Sequence, residues 1–133
     1  MILERPIIRT ADEWLDYYGV PVLRGVVVLF KAVDDTYESS HGFRYGPGTK
    51  PLAADWDPKP ECGGGLHFCP HPRLAHSFKP DATRFVACPV KVSEIVVHED
   101  PIYPTKIKAP RVYRPCWEVD VDGEKINNTK GEK

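Results

Sequence analysis

From Val26 to Val33 the chain reads Val-Val-Val-Leu-Phe-Lys-Ala-Val, apolar at odd and even positions alike except for Lys31. A run of this length with no turn residue predicts a strand covered on both faces, which we read as the central strand of the fold. Lys31 must snorkel, pair, or point into a cavity, because a bare ammonium in an apolar interior is too costly. Further along, Thr83–Val92 predicts a second long strand, with Pro89 expected to impose a bulge. Ser93–His98 continues it or forms another strand, and Ile107–Tyr113 and Cys116–Val121 are two more, separated by Arg114-Pro115. Leu66-His67-Phe68 completes the set as a short strand.

Helical signals are few. Thr10-Ala-Asp-Glu13 is a capping-box pattern, Trp14, Leu15 and Tyr18 then share one face, and Gly19 with Pro21 stops the turn. A short helix is expected over residues 11–18. Fourteen prolines in 133 residues exclude long helices from most of the chain. Gly46-Pro47-Gly48 and Asp122-Gly123 are turn signals. Residues 49–61, with three prolines and Trp56, form a long loop of the kind that is functional or mobile. The reading is therefore α+β: one β-rich domain of about six short strands and two short helices over residues 1–123, followed by a polar, fraying tail, 124–133.

Charge narrows the function. Eighteen basic against nineteen acidic residues give a net charge of -1, which argues against a general nucleic-acid or membrane-surface binder. Lys106, Lys108, Arg111 and Arg114 still form a local basic patch in sequence. No apolar run approaches a membrane span, and Glu4 and Arg5 stand where a signal peptide would be apolar. A cytoplasmic location follows as an expectation, with the four cysteines as free thiols or ligands rather than disulfides.

The chemistry is concentrated between Cys62 and Phe78, which hold three consecutive glycines, three of the five histidines and two of the four cysteines. Zinc is the first candidate there, yet successive cysteines have six, eighteen and twenty-seven residues between them, without a Cys-x2-Cys knuckle. No metal is assigned. A Cys69 thiolate activated by His67 is the second, since a strand would set both side chains on one face; buried, inert thiols are the alternative. Gly63-Gly64-Gly65 is the third: a backbone approaching a ligand closely, or a flexible turn.

Read as one unit, Gly-Gly-Leu-His-Phe followed by helix-forming residues and Phe78 resembles the second motif of the poly-ADP-ribose-polymerase branch of the ADP-ribosyltransferases. The resemblance sets His67 on that motif's tyrosine and Phe78 on the aromatic that stacks on nicotinamide. Leu29-Phe30-Lys31-Ala32 resembles the first motif, with Lys31 in place of the His or Arg that holds NAD. The implied fold is a split sheet and the implied cofactor is NAD. Lysine stands where the family's catalytic glutamate lies, leaving Glu118 as the candidate catalytic carboxylate and Glu94 as the other acid within reach. The chain is also similar to small uncharacterised domains common in bacteriophage genomes, through Lys31, Ser39 or Ser40, Tyr45, Gly48, Cys62, Gly65-Leu66-His67 and Lys106-Ile107-Lys108-Ala109. That resemblance spans roughly residues 26–113 and implies no known activity, with a bacterial host cytoplasm as the setting.

Two functions follow. One is an ADP-ribosyltransferase-like domain that binds NAD or another nucleotide through Lys31, Tyr45, Gly64, Gly65, His67 and Phe78. The other is a non-catalytic module that binds a host protein through an exposed Trp56 and the proline-rich loop.

Overall fold

The computed structural model describes residues 8–60, 63–98 and 105–126. The amino-terminal residues 1–7, Cys62, the Tyr103 end of the late segment and residues 127–133 of the tail lie outside the described residues.

Helix α1, Ala11–Tyr17, begins where the sequence places it. The Glu13 N–H donates to Thr10 Oγ1 at 3.1 Å, and the Thr10 N–H donates back to Glu13 Oε1 at 3.2 Å. This reciprocal cap satisfies two amide groups that the first turn would otherwise leave bare. Trp14 and Leu15 are its buried face.

Six short strands form two three-stranded sheets. The first contains β1 (Val26–Val33), β3 (Arg84–Lys91) and β6 (Trp117–Val119), in the order β1-β3-β6. The second contains β2 (Leu66–Phe68), β4 (Val96–Val97) and β5 (Ile107–Ala109), in the order β2-β5-β4. Every pairing is antiparallel. With helix α2, Pro72–Phe78, and a 3-10 turn at Val92–Glu94, the fold is α+β, a single small domain. No helix among the described residues is long and apolar enough to cross a membrane.

The central strand of the first sheet is β3, not β1. The run Val26–Val33 is apolar on both faces because both are covered, and coverage does not fix a strand's place in the order. Val27, Leu29 and Val33 enter the main core, while Ala32 meets Cys69 and Ala75 beneath α2. Pro89 makes no bulge either: the register runs unbroken from Val26–Lys91 to Val33–Arg84. Its carbonyl accepts from the Tyr113 N–H at 2.8 Å on the side away from β1. A residue's nitrogen and carbonyl point to the same side of a strand, so the missing N–H faces that side too, beyond the end of β6.

Phe30 and Cys69 stitch the sheets together. The Phe30 N–H donates to the Cys69 carbonyl at 2.9 Å, and the Cys69 N–H returns the bond at 3.0 Å. The loop over residues 49–60 is pinned rather than loose. Its Ala53 N–H donates to the Pro110 carbonyl at 2.8 Å, and its Asp57 N–H donates to the Gly64 carbonyl at 3.2 Å. Past Gly123 the chain turns back on β6, where the Ile126 N–H donates to the Glu118 carbonyl at 2.9 Å, so residues 124–126 are not a fraying tail.

Candidate ligand-binding site

A strand that alternates faces delivers Lys31 to the same side as Val27, Leu29 and Val33, the side of the main core. Its stem lies beside the Tyr45 ring, with the ammonium 5.6 Å from the ring centroid, and Nζ donates to the His67 carbonyl at 2.9 Å. Lys31 thus reaches from the first sheet across to the main chain of the second. There it lines a cleft of about 340 Å³ at the seam between the sheets.

Four other parts of the chain converge on this cleft. The turn after Ser39 brings Ser40 and His41; β2 and its continuation bring His67 and Cys69; the end of α2 brings Phe78 and Lys79; and Lys106 enters just before β5. The β2–β5 register explains the last of these. His67 is opposite Lys108 and Phe68 opposite Ile107, so one further step sets Lys106 opposite Cys69, on the face that His67 shares. Among the described residues no carboxylate lines the cleft, while three lysines do. Lys79 has an ion pair with Asp81 at 3.3 Å, but Asp81 is itself largely exposed. The Lys106 ammonium sits 4.7 Å from the Phe78 ring centroid.

His67 is 6% exposed, and its Nε2 has no hydrogen-bond partner among the described residues. Burial, followed by the positive charges of Lys31 and Lys106, pushes its pKa down to about 3, so the imidazole is neutral at physiological pH. Burial pushes the Cys69 thiol up to about 12. A protonated thiol beside a neutral imidazole is the opposite of the thiolate–imidazolium pair that nucleophilic catalysis needs, so burial disfavours Cys69 as a nucleophile.

Beyond the His41 and His67 rings, whose centroids are 6.2 Å apart, lies a second cavity of about 490 Å³. Its walls are Gly63, Gly64 and Gly65, together with Phe43, Asp55 and the same two histidines. Gly64 and Gly65 are required by packing, whereas a Cβ on Gly63 would meet nothing within 4 Å. A Cβ on Gly64 would lie 1.9 Å from the Asp55 carbonyl oxygen, and one on Gly65, whose φ is +135°, would meet the Trp56 ring at 2.9 Å. Gly64 and Gly65 therefore clamp the loop over residues 55–57, and the Gly65 N–H donates to Asp55 Oδ1 at 3.2 Å.

Of the residues assigned from sequence, Lys31, His67 and Phe78 share the first cavity, and Gly64, Gly65 and His67 share the second. Tyr45 is fully buried in the main core, its ring edge-on to Phe68, and lines neither cavity. Glu118 also lies elsewhere. It accepts from Tyr37 Oη at 2.8 Å and from Arg84 Nη1 at 3.0 Å, and is 6% exposed. Glu94 holds Arg111 at 3.0 Å. Trp56 is half-buried against the core, not an exposed anchor. The basic patch disperses: Lys108 is wholly buried, Arg111 is paired, and Lys106 alone reaches the cleft.

His71 caps α2 through Nδ1, which accepts from the Arg73 N–H at 3.2 Å. His76 contacts the Pro80 carbonyl at 3.0 Å. Among the described residues no cluster of three metal-ligating side chains is formed. His41 and Lys79 are cleft residues that sequence reasoning assigned to no site, and Lys106 entered it only through the basic patch and the Lys106-Ile107-Lys108-Ala109 motif. The signal for Lys106 was present in Lys106-Ile107-Lys108, whose alternation puts both lysines on one face of a strand.

The model of a family described as a domain of unknown function, DUF7666, matches residues 27–125. No curated protein and no solved structure matches the chain.

Proposed function

The chain belongs to the DUF7666 family of domains of unknown function, and we propose that it is a ligand-binding domain for an anionic small molecule of the nucleotide class. NAD is the candidate that the ADP-ribosyltransferase resemblance supplies. One observation carries this reading: Lys31, Lys79 and Lys106 converge on a cleft with no lining carboxylate among the described residues. A phosphate placed among these ammonium groups accepts several charge-assisted hydrogen bonds. Lysine is a suitable phosphate partner as a compact point charge. Nearby, His67 offers a neutral imidazole whose unpartnered nitrogen can meet a hydroxyl or amide.

Catalysis through Glu118 is not part of this reading, because the carboxylate is engaged by Arg84 and Tyr37 outside the cleft. The interaction-module alternative is weakened by Trp56, whose half-buried ring is committed to the core. The test is thermal unfolding of the full chain in 10 mM ADP, NAD or pyrophosphate. A ligand at one hundred times its Kd adds about 2.7 kcal/mol to stability, or roughly 3–6 °C per kcal/mol for a chain of this size. Lys106→Met should abolish the shift, while Glu118→Gln, though less stable, should keep it. Unchanged melting with all three anions would refute the proposal.

A further inference from the structure

Two cavities share one partition, and their chemistry differs. On one side of the His41–His67 rings are three lysines without a lining carboxylate among the described residues; on the other are glycine backbone, Phe43 and the Asp55 carboxylate. We propose that they form one bipartite site for a nucleoside phosphate whose phosphates are terminal, with the phosphates among Lys31, Lys79 and Lys106 and the nucleoside beside Gly64 and Gly65. This rests on the nucleotide reading above and makes it directional.

Three observations set the direction. Asp55 repels phosphate from the second cavity but accepts hydrogen bonds from hydroxyls; one bond from the Gly65 N–H leaves its carboxylate with further acceptor capacity. The Lys106 ammonium already lies over the face of Phe78, at 4.7 Å, so the first cavity presents charge where a base would have to stack. Between the two halves stands His67, 94% removed from solvent by its 6% exposure, with Nε2 unpartnered among the described residues. It lines both cavities, where the ribose that joins base to phosphate would pass and present its hydroxyls. A dinucleotide such as NAD carries its phosphates internally, which would force a second nucleoside into the lysine side.

Calorimetric titration of the full chain with ADP, GDP, CDP, UDP, pyrophosphate and NAD tests this. At least one nucleoside diphosphate should bind tenfold or more tighter than both pyrophosphate and NAD. Asp55→Asn should weaken that diphosphate at least fivefold and leave pyrophosphate unchanged, whereas Lys106→Met should weaken both about tenfold. Near-ultraviolet circular dichroism of each variant establishes that it is folded, and His67→Gln supplies a second probe of the partition. Pyrophosphate binding as tightly as every diphosphate, NAD binding tightest, or an unaffected Asp55→Asn would each overturn the bipartite site while leaving anion binding intact. Silence from all six ligands would overturn both readings.

Discussion

Replacing Gly64 by alanine should damage the fold at one identifiable place. The new Cβ would stand 1.9 Å from the Asp55 carbonyl oxygen, 3.1 Å from its carbon and 3.2 Å from Asp57 Cβ. Comfortable contact begins near 3.5 Å, so the 55–57 backbone must retreat by about 1.5 Å. That retreat breaks the Asp57 N–H bond to the Gly64 carbonyl and the Gly65 N–H bond to Asp55 Oδ1, both 3.2 Å long. Each is worth about 1 kcal/mol net, and water restores part of it at this partly exposed site. Overpacking strain adds roughly 1–3 kcal/mol, giving a loss of about 2–4 kcal/mol. With a urea m-value near 2 kcal/mol per molar, the midpoint should fall by roughly 1–2 M. Gly46→Ala is the control, since its Cβ would meet nothing nearer than Thr49 Cγ2 at 3.8 Å. A Gly64→Ala midpoint within about 0.3 M of the parent would refute the claim that Gly64 and Gly65 clamp this loop.

His67 should make stability depend on pH. Its folded pKa of about 3 lies below the ordinary value of 6.5, so the unfolded chain binds the proton more readily and stability rises with pH across that window. Between pH 7 and pH 5 this histidine alone should remove about 2 kcal/mol, and His67→Gln, followed by urea titration at both values, should flatten the slope by that amount. Lys108 is fully buried, its Nζ lacks a hydrogen-bond partner among the described residues, and it stands over the Trp56 ring at 5.7 Å. Lys108→Met should therefore be neutral or stabilising by about 1–3 kcal/mol; a destabilisation beyond 1 kcal/mol in the same assay would show that the ammonium matters to the fold.

Local rules were legible where the cause is local. The capping box at Thr10 and Glu13 places α1, and the uninterrupted apolar run gives β1 its observed bounds, Val26–Val33. What the run could not say is which strand lies in the middle, because burial of both faces arises as readily from a helix above as from strands beside. Pro89 misled for a related reason: a missing N–H harms only a strand with a neighbour on that side, and β6 stops at Val119–Phe85 through Trp117–Ala87. Trp56 looked like a surface aromatic among prolines, yet Gly65 has no side chain and its ring fills the space.

At the site, Lys31, His67 and Phe78 were grouped in sequence through the motif resemblance, and all three line the first cavity. His41 and Lys79 were not, since each arrives from a different loop or element end, and Lys106 was legible as a patch residue but not as a partner of His67. Glu118 drew attention as an acid without a match, but its sequence neighbours gave no sign that Arg84 and Tyr37 would enclose it.

The bond from Lys31 Nζ to the His67 carbonyl has a consequence for motion. It is a side-chain rivet across a joint that backbone pairing closes at Phe30 and Cys69. An anion that draws this ammonium toward itself competes with the carbonyl, so filling the cleft and relaxing the joint draw on the same donor. Under the proposed anion binding, occupancy should therefore be felt at the amides of Phe30 and Cys69.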